Sequence, residues 1–164
     1  FGINGSFNWK GLSLIYGFSG ATMQSFYRNW ELLFPFQNDG NSPRYMLTDR
    51  WHRADPYDDN SPWVSGTHPA IREGDNGHSN YWGNDFWREN ITYLRLRNLE
   101  LGYELPVELL SRVGIKRLRV YAKGTNLFSI DNVGSLEIDP EITASNGLVY
   151  PQQRLYSFGF NLSL

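Results

Sequence analysis

Five tryptophans, Trp30, Trp51, Trp63, Trp82 and Trp87, fall between about Met23 and Asn90, in company with Tyr27, Tyr45, Tyr57 and Tyr81. Flat rings of this kind stack on sugar faces or on protein partners, while nearby Asp and Asn side chains meet hydroxyls. Trp51, Trp63, Tyr81, Trp82 and Trp87 are therefore the candidate contacts for a substrate or partner. The competing reading is that the rings form the excursion's own core, because ordering so long a connection needs buried surface. The residues alone leave both readings open.

The polar residues of the same stretch point to little chemistry. Asp55, Asp58, Asp59, Asp75 and Asp85 carry the hard oxygen donors that calcium takes, but no segment has the twelve-residue EF-hand spacing. His52, His68 and His78 lack the close spacing of a zinc site, and there is no cysteine to form a disulfide, a thiolate ligand or a nucleophile. No metal or other cofactor is expected. A glycosidase would need two carboxylates held about 5 to 10 Å apart on rigid elements, whereas the acids here sit mainly in one long excursion. GxSxG, a phosphate-cradling glycine loop and HExxH are all missing. Enzymatic activity is not expected. A net charge of -2 without a continuous basic run gives no electrostatic case for nucleic acid.

The elements that must position these residues alternate with a period of two. Phe1, Ile3, Gly5, Phe7 and Trp9 share one face over residues 1–9. After a tight turn at Lys10, Leu12, Leu14, Tyr16 and Phe18 repeat the pattern over 11–21. A third strand spans about 91–105, and its alternation slips near Arg97 and Asn98, which predicts a β-bulge. Pro106 opens a short helical link that Gly114 closes. A fourth strand spans 115–127, and a last one spans 152–164, with Tyr156, Phe158, Phe160, Leu162 and Leu164 on one face. Arg95, Arg97, Arg117, Arg119 and Lys123 face the same side as Glu100 and Glu104, so opposite charges pair across strands on a lumen wall.

Strands of about 9 to 13 residues suit a tilted membrane crossing better than the five or six usual in soluble sheets. Short links at Lys10 and Pro106 alternate with long connections at about 22–90 and 128–150, as in outer-membrane barrels. The fold class is thus all-β, an antiparallel transmembrane β-barrel. Few strands cannot close a barrel, since the smallest have about eight, and a start at Phe1 inside a strand pattern reads as a fragment of a longer protein. The rival is a soluble β-sandwich carbohydrate-binding module.

The segments YLRLRNLELGYELP, IKRLRVYAKGTNLFSI, EIDPEI and YPQQRLYSFGFNLSL follow in that order, and together they resemble the end of the SusC/RagA family of TonB-linked outer-membrane proteins. FGINGSFNWKGLSLIYGFSG is similar to the preceding hairpin of that family, and LTDRWHRADP to its DRW loop segment. The resemblance implies a barrel of about 22 strands with a plug domain, of which residues 1–164 would supply roughly the last five. By the same resemblance, the plug, the TonB box and any signal peptide are expected outside residues 1–164. It further implies TonB-driven import of an oligosaccharide or peptide, a SusD-like surface lipoprotein as lid, and the outer membrane of a Bacteroidetes-type Gram-negative bacterium. The family's closing strand would carry the assembly signal at Tyr156, Phe158, Phe160, Leu162 and Leu164, although the last residue is Leu here where Phe is usual. With the C-terminus in the periplasm, antiparallel order puts the Lys10 and Pro106 links there too and the two long connections outside the cell.

Overall fold

A computed structural model describes residues 1–72, 77–141 and 144–164. The chain divides into two compact units, one of residues 1–22, 92–131 and 151–164, the other of residues 23–91 and 132–150.

The first unit consists mainly of a five-stranded sheet ordered β1-β2-β5-β6-β7, of which the end of β2 and the start of β5 belong to the second unit. The strands are β1 (Gly2–Trp9), β2 (Leu12–Tyr27), β5 (Arg88–Glu104), β6 (Arg117–Asp131) and β7 (Leu155–Ser163). β1 and β2 pair antiparallel from Gly2 opposite Ser19 to Trp9 opposite Leu12. The turn between them needs left-handed backbone, which Lys10 (φ 46°) and Gly11 (φ 84°) supply. Gly11 also has no room for a side chain: a Cβ there would stand 2.7 Å from the Glu104 carbonyl oxygen. Between β5 and β6 the pairing register shifts between Leu96 and Asn98, where the alternation slips in the sequence. The link after Pro106 is α2 (Val107–Leu110) with a short 3-10 turn, ended by Gly114 at φ 73°. Leu110 is the buried residue of that link, at 4% exposure.

One face of this sheet is apolar and open. Phe158, Phe160 and Leu162 of β7 stand opposite Ala122, Val120 and Leu118 of β6. Phe158 is 82% exposed and Phe160 69%, and Ile3, Phe7, Trp9, Leu101 and Tyr103 are exposed as well. Monomeric soluble proteins rarely leave so continuous an apolar array uncovered.

β2 and β5 both run beyond the span that alternation delimits in the sequence, β2 to Tyr27 and β5 from Arg88. Met23 sits at φ 57°, a kink that breaks the period of two and hides the continuation.

The second unit holds the aromatic stretch. It is built from α1 (Arg44–Thr48), the two-residue strands β3 (His52–Arg53) and β4 (Trp63–Val64), and several single 3-10 turns. Its core gathers Leu33, Tyr81 and Trp87, with Tyr27 and Phe34 packed against them. Asn29 and Asn84 cap 3-10 turns by accepting from the backbone N–H groups of Trp30 and Phe86. The two excursions knit together: the Asn29 N–H donates to the Ser145 carbonyl at 2.9 Å, and Asn132 donates to the Asn90 carbonyl at 2.8 Å.

Candidate functional site

Arg28 follows β2 directly, and its guanidinium is buried, at 5% exposure, inside the second unit. A buried cation persists only when it is paired and hydrogen-bonded. Nη2 donates to Glu89 Oε1 at 2.6 Å and Nη1 lies 3.0 Å from His68 Nε2. The guanidinium carbon also stands over the Tyr45 and Trp87 rings at 5.2 Å and over Phe86 at 6.0 Å.

Arginine always donates, so His68 must accept at Nε2 and carry its proton on Nδ1. Nδ1 is 3.0 Å from the Asp49 carbonyl oxygen, which receives that proton. Burial and then the neighbouring Arg28 charge hold the His68 pKa below its usual value, which keeps the ring neutral. Asp49 accepts from the hydroxyl and the backbone N–H of Thr67, and these bonds hold its carboxyl below the usual range. Burial pushes the Tyr45 phenol up, and its hydroxyl donates to the Leu32 carbonyl. One arginine thus ties the end of β2, α1, the 67–68 segment and the start of β5 together.

The five aromatic candidates divide on burial. Trp87 is 2% exposed, with its indole N–H donating to the Asn80 carbonyl at 2.8 Å, and Tyr81 is 8% exposed. Both rings belong to the core of the second unit. Trp51, Trp63 and Trp82 are exposed. Trp51 and Trp63 line an open cavity of about 510 Å³ with Arg53, whose guanidinium carbon is 4.3 Å from the Trp63 ring centre. Trp51 also borders a second cavity of about 480 Å³ with His68, Asn84 and Phe86. Trp82 lines neither of these two. Sequence reading missed Arg28, Glu89 and His68 as a set. Its single local signal is a cation inside the ring-rich run Phe26-Tyr27-Arg28-Asn29-Trp30.

Among the described residues no three His, Cys, Asp or Glu side chains gather where a metal could sit. Asp75 and Ile142 of EIDPEI lie outside the described residues.

The charged residues of the sheet come together on its other face. Arg119 donates to Glu100 at 2.7 Å and to Ser13 at 3.0 Å, and Arg97 donates to Ser19 at 3.0 Å. Arg117 grips Glu104 with two bonds of 2.9 and 2.7 Å, and Lys123 stands directly opposite Glu100. Arg95 is buried at 4% exposure.

No protein-family model matches the sequence. The chain is similar to solved structures of the RagAB peptide importer: 27% identity and a TM-score of 0.63 to its open-open state, over 98% of this chain and 17% of that one. To the closed-closed state the identity is 27% and the TM-score 0.62, over 97% and 17%. TonB-dependent receptor P26 of Formosa agariphila is 24% identical over 99% of this chain and 16% of its own length. The chain is SusC/RagA-like. A second receptor of that bacterium, P3, is 32% identical over 43% of this SusC/RagA-like chain and 8% of its own length. The chain spans about a sixth of the P26 receptor and of the RagAB chains it resembles. Its open antiparallel sheet matches part of a RagAB barrel, and the SusC/RagA-like strands β6 and β7 place Tyr156, Phe158, Phe160 and Leu162 on exposed positions.

Proposed function

We propose that this chain supplies barrel wall and outward loops to a TonB-dependent outer-membrane importer of an oligosaccharide or peptide. In this reading it works beneath a SusD-like surface lipoprotein, draws energy from the TonB complex and does no chemistry on its cargo. The observation that carries the reading is the two-faced sheet. One side is an exposed array running from Phe7 and Trp9 to Phe158 and Phe160, and the other carries Arg119, Arg117 and Arg97 bonded to partners on neighbouring strands. Lipid solvates the first face and an aqueous, plug-filled lumen suits the second.

A soluble sandwich would need a second sheet over the rings. Among the described residues the other sheet is the two-residue pair β3 and β4. The likeness to the RagAB peptide importer over 98% of the chain supports import as the activity. Relatives that bear receptor names support a TonB-coupled process. In this arrangement the Lys10 turn, the α2 link and the C-terminus face the periplasm. Tyr156, Phe158, Phe160, Leu162 and Leu164 then form both lipid-facing wall and assembly signal, and Arg95, Arg97, Glu100, Glu104, Arg117, Arg119 and Lys123 line the lumen. Trp51, Trp63 and Trp82 remain the ring faces open to cargo or lid.

The test uses the full-length protein in its own cells. It should fractionate with the outer membrane and need detergent for extraction. Its loss, or inactivation of TonB, should abolish uptake of one oligosaccharide or peptide nutrient. A protein that stays soluble and monomeric without detergent overturns the reading.

A further inference from the structure

We infer that the second unit contains a site for the free amino terminus of a peptide, with Glu31 as the group that receives it. This rests on the importer reading and narrows its cargo to peptides.

An open cavity of about 520 Å³ lies where residues 31–45 meet residues 135–138 and 146–148, and none of the candidate aromatic residues lines it. Its lining includes Glu31, the amides of Gln37, Asn38, Asn41 and Asn146, and the apolar side chains of Leu32, Leu136 and Leu148. Glu31 Oε2 is buried and has no hydrogen-bond partner. A buried carboxylate oxygen without a donor is a costly arrangement that a ligand N–H relieves.

Charge selects the kind of donor. Arg44, the cation of the lining, is paired with Glu137 at 3.7 Å, which leaves Glu31 uncompensated at the wall. A positive donor therefore gains more there than a neutral hydroxyl. The remaining surface fits a peptide better than a sugar. Side-chain amides match the donor and acceptor of a peptide group, and the leucines accept an apolar side chain. A pyranose would want an aromatic face, and the one ring present, Tyr45, is buried at 6% exposure with its hydroxyl committed to the Leu32 carbonyl. Backbone strain gathers at the same place. Phe36, Asn38, Asp39 and Glu137 all hold left-handed backbone, with φ between 54° and 58°. Such conformations persist where surrounding structure enforces them, and they cluster at ligand clamps.

The experiment measures binding of a fluorescent mixed-sequence peptide pool to the purified full-length protein with its lipoprotein partner, in detergent. The same pool is compared after N-terminal acetylation, which replaces the charged ammonium with a neutral amide and leaves the rest of each peptide as it was. Acetylation should weaken binding about tenfold or more. Glu31→Gln should weaken binding of the free-amine pool to the level of the acetylated pool and leave the acetylated pool unchanged. Equal binding of both pools, which needs no variant and no folding control, overturns the inference. So does a Glu31→Gln protein that keeps the preference. If TonB-dependent uptake persists while both pools bind equally, this inference alone fails; if uptake is independent of TonB, the importer reading fails.

Discussion

Replacing Arg28 with Met should loosen the second unit without unfolding the sheet. Methionine keeps an apolar stem, but it removes the guanidinium that stands over Tyr45 and Trp87, the bond to Glu89 at 2.6 Å and the one to His68 Nε2 at 3.0 Å. Breaking a buried pair costs about 3–5 kcal/mol because the surviving charge stays desolvated. The Glu89 side chain keeps 29% exposure, which puts the loss at the low end, and the lost ring contacts add about 0.5–1 kcal/mol. The sum is about 3.5–4 kcal/mol against local opening, which corresponds to roughly several-hundredfold faster hydrogen exchange. The amides to follow on the full-length protein are Arg28, bonded to the Trp87 carbonyl, His68, bonded to the Asp49 carbonyl, and Trp51, bonded to the His68 carbonyl. Arg44→Met is the control, since Arg44 and Glu137 are exposed and 3.7 Å apart, and such pairs contribute about 0–1 kcal/mol. Exchange in Arg28→Met within about threefold of the unchanged protein would show that the arginine is not what holds the loops. Combining Arg28→Met with Glu89→Gln should cost less than the two changes added, because the partners share one interaction.

Acid should act on the same cluster. The folded His68 pKa is lowered, so the unfolded state binds the proton first, and the stability His68 contributes is complete above about pH 6.5 and falls as pH drops from there toward the lowered value. Amide exchange over residues 49–68 should therefore speed up on acidification below about pH 6.5, and His68→Gln should flatten that response; a response unchanged in His68→Gln counts against the donor assignment. On the sheet, Arg119→Met should lower the thermal transition more than Arg117→Met, because the Arg119–Glu100 side chains are 20% and 21% exposed and those of Arg117–Glu104 60% and 41%. Phe160→Arg, on the apolar face, should reduce folded barrel in the outer membrane by an equivalent of about 2–4 kcal/mol, read by heat-modifiable gel migration, whereas Asn161→Arg should not. Protease added to intact cells should cut between Met23 and Asn90 and spare the Lys10 turn; cutting at Lys10 would reverse the proposed orientation.

What sequence discloses here depends on how local its cause is. The β1–β2 pairing and the slip near Arg97 follow from a side-chain period of two and from a turn that two adjacent residues determine. The run of β2 past Gly20 is masked by one backbone kink at Met23. The aromatic stretch behaves differently. Trp82 and Trp87 are five positions apart, of one residue type and in similar polar company, yet one is 65% exposed and the other 2%. Which of them is core depends on Leu33, Phe34 and Arg28, more than 50 positions away, and no periodicity encodes such contacts. The Glu31 cavity is hidden for the same reason, since its walls come from stretches about a hundred residues apart.

The knitting of residues 23–91 to 132–150 bears on how such loops are exchanged between relatives. A chimaera that received the longer excursion alone would leave Asn29 without the Ser145 carbonyl, Arg44 without Glu137 and the core without Val133 and Leu136, both buried here. The two excursions therefore form one heritable cassette: recombination that moves them jointly transplants a finished surface, and recombination that splits them yields a pair of ill-fitting halves.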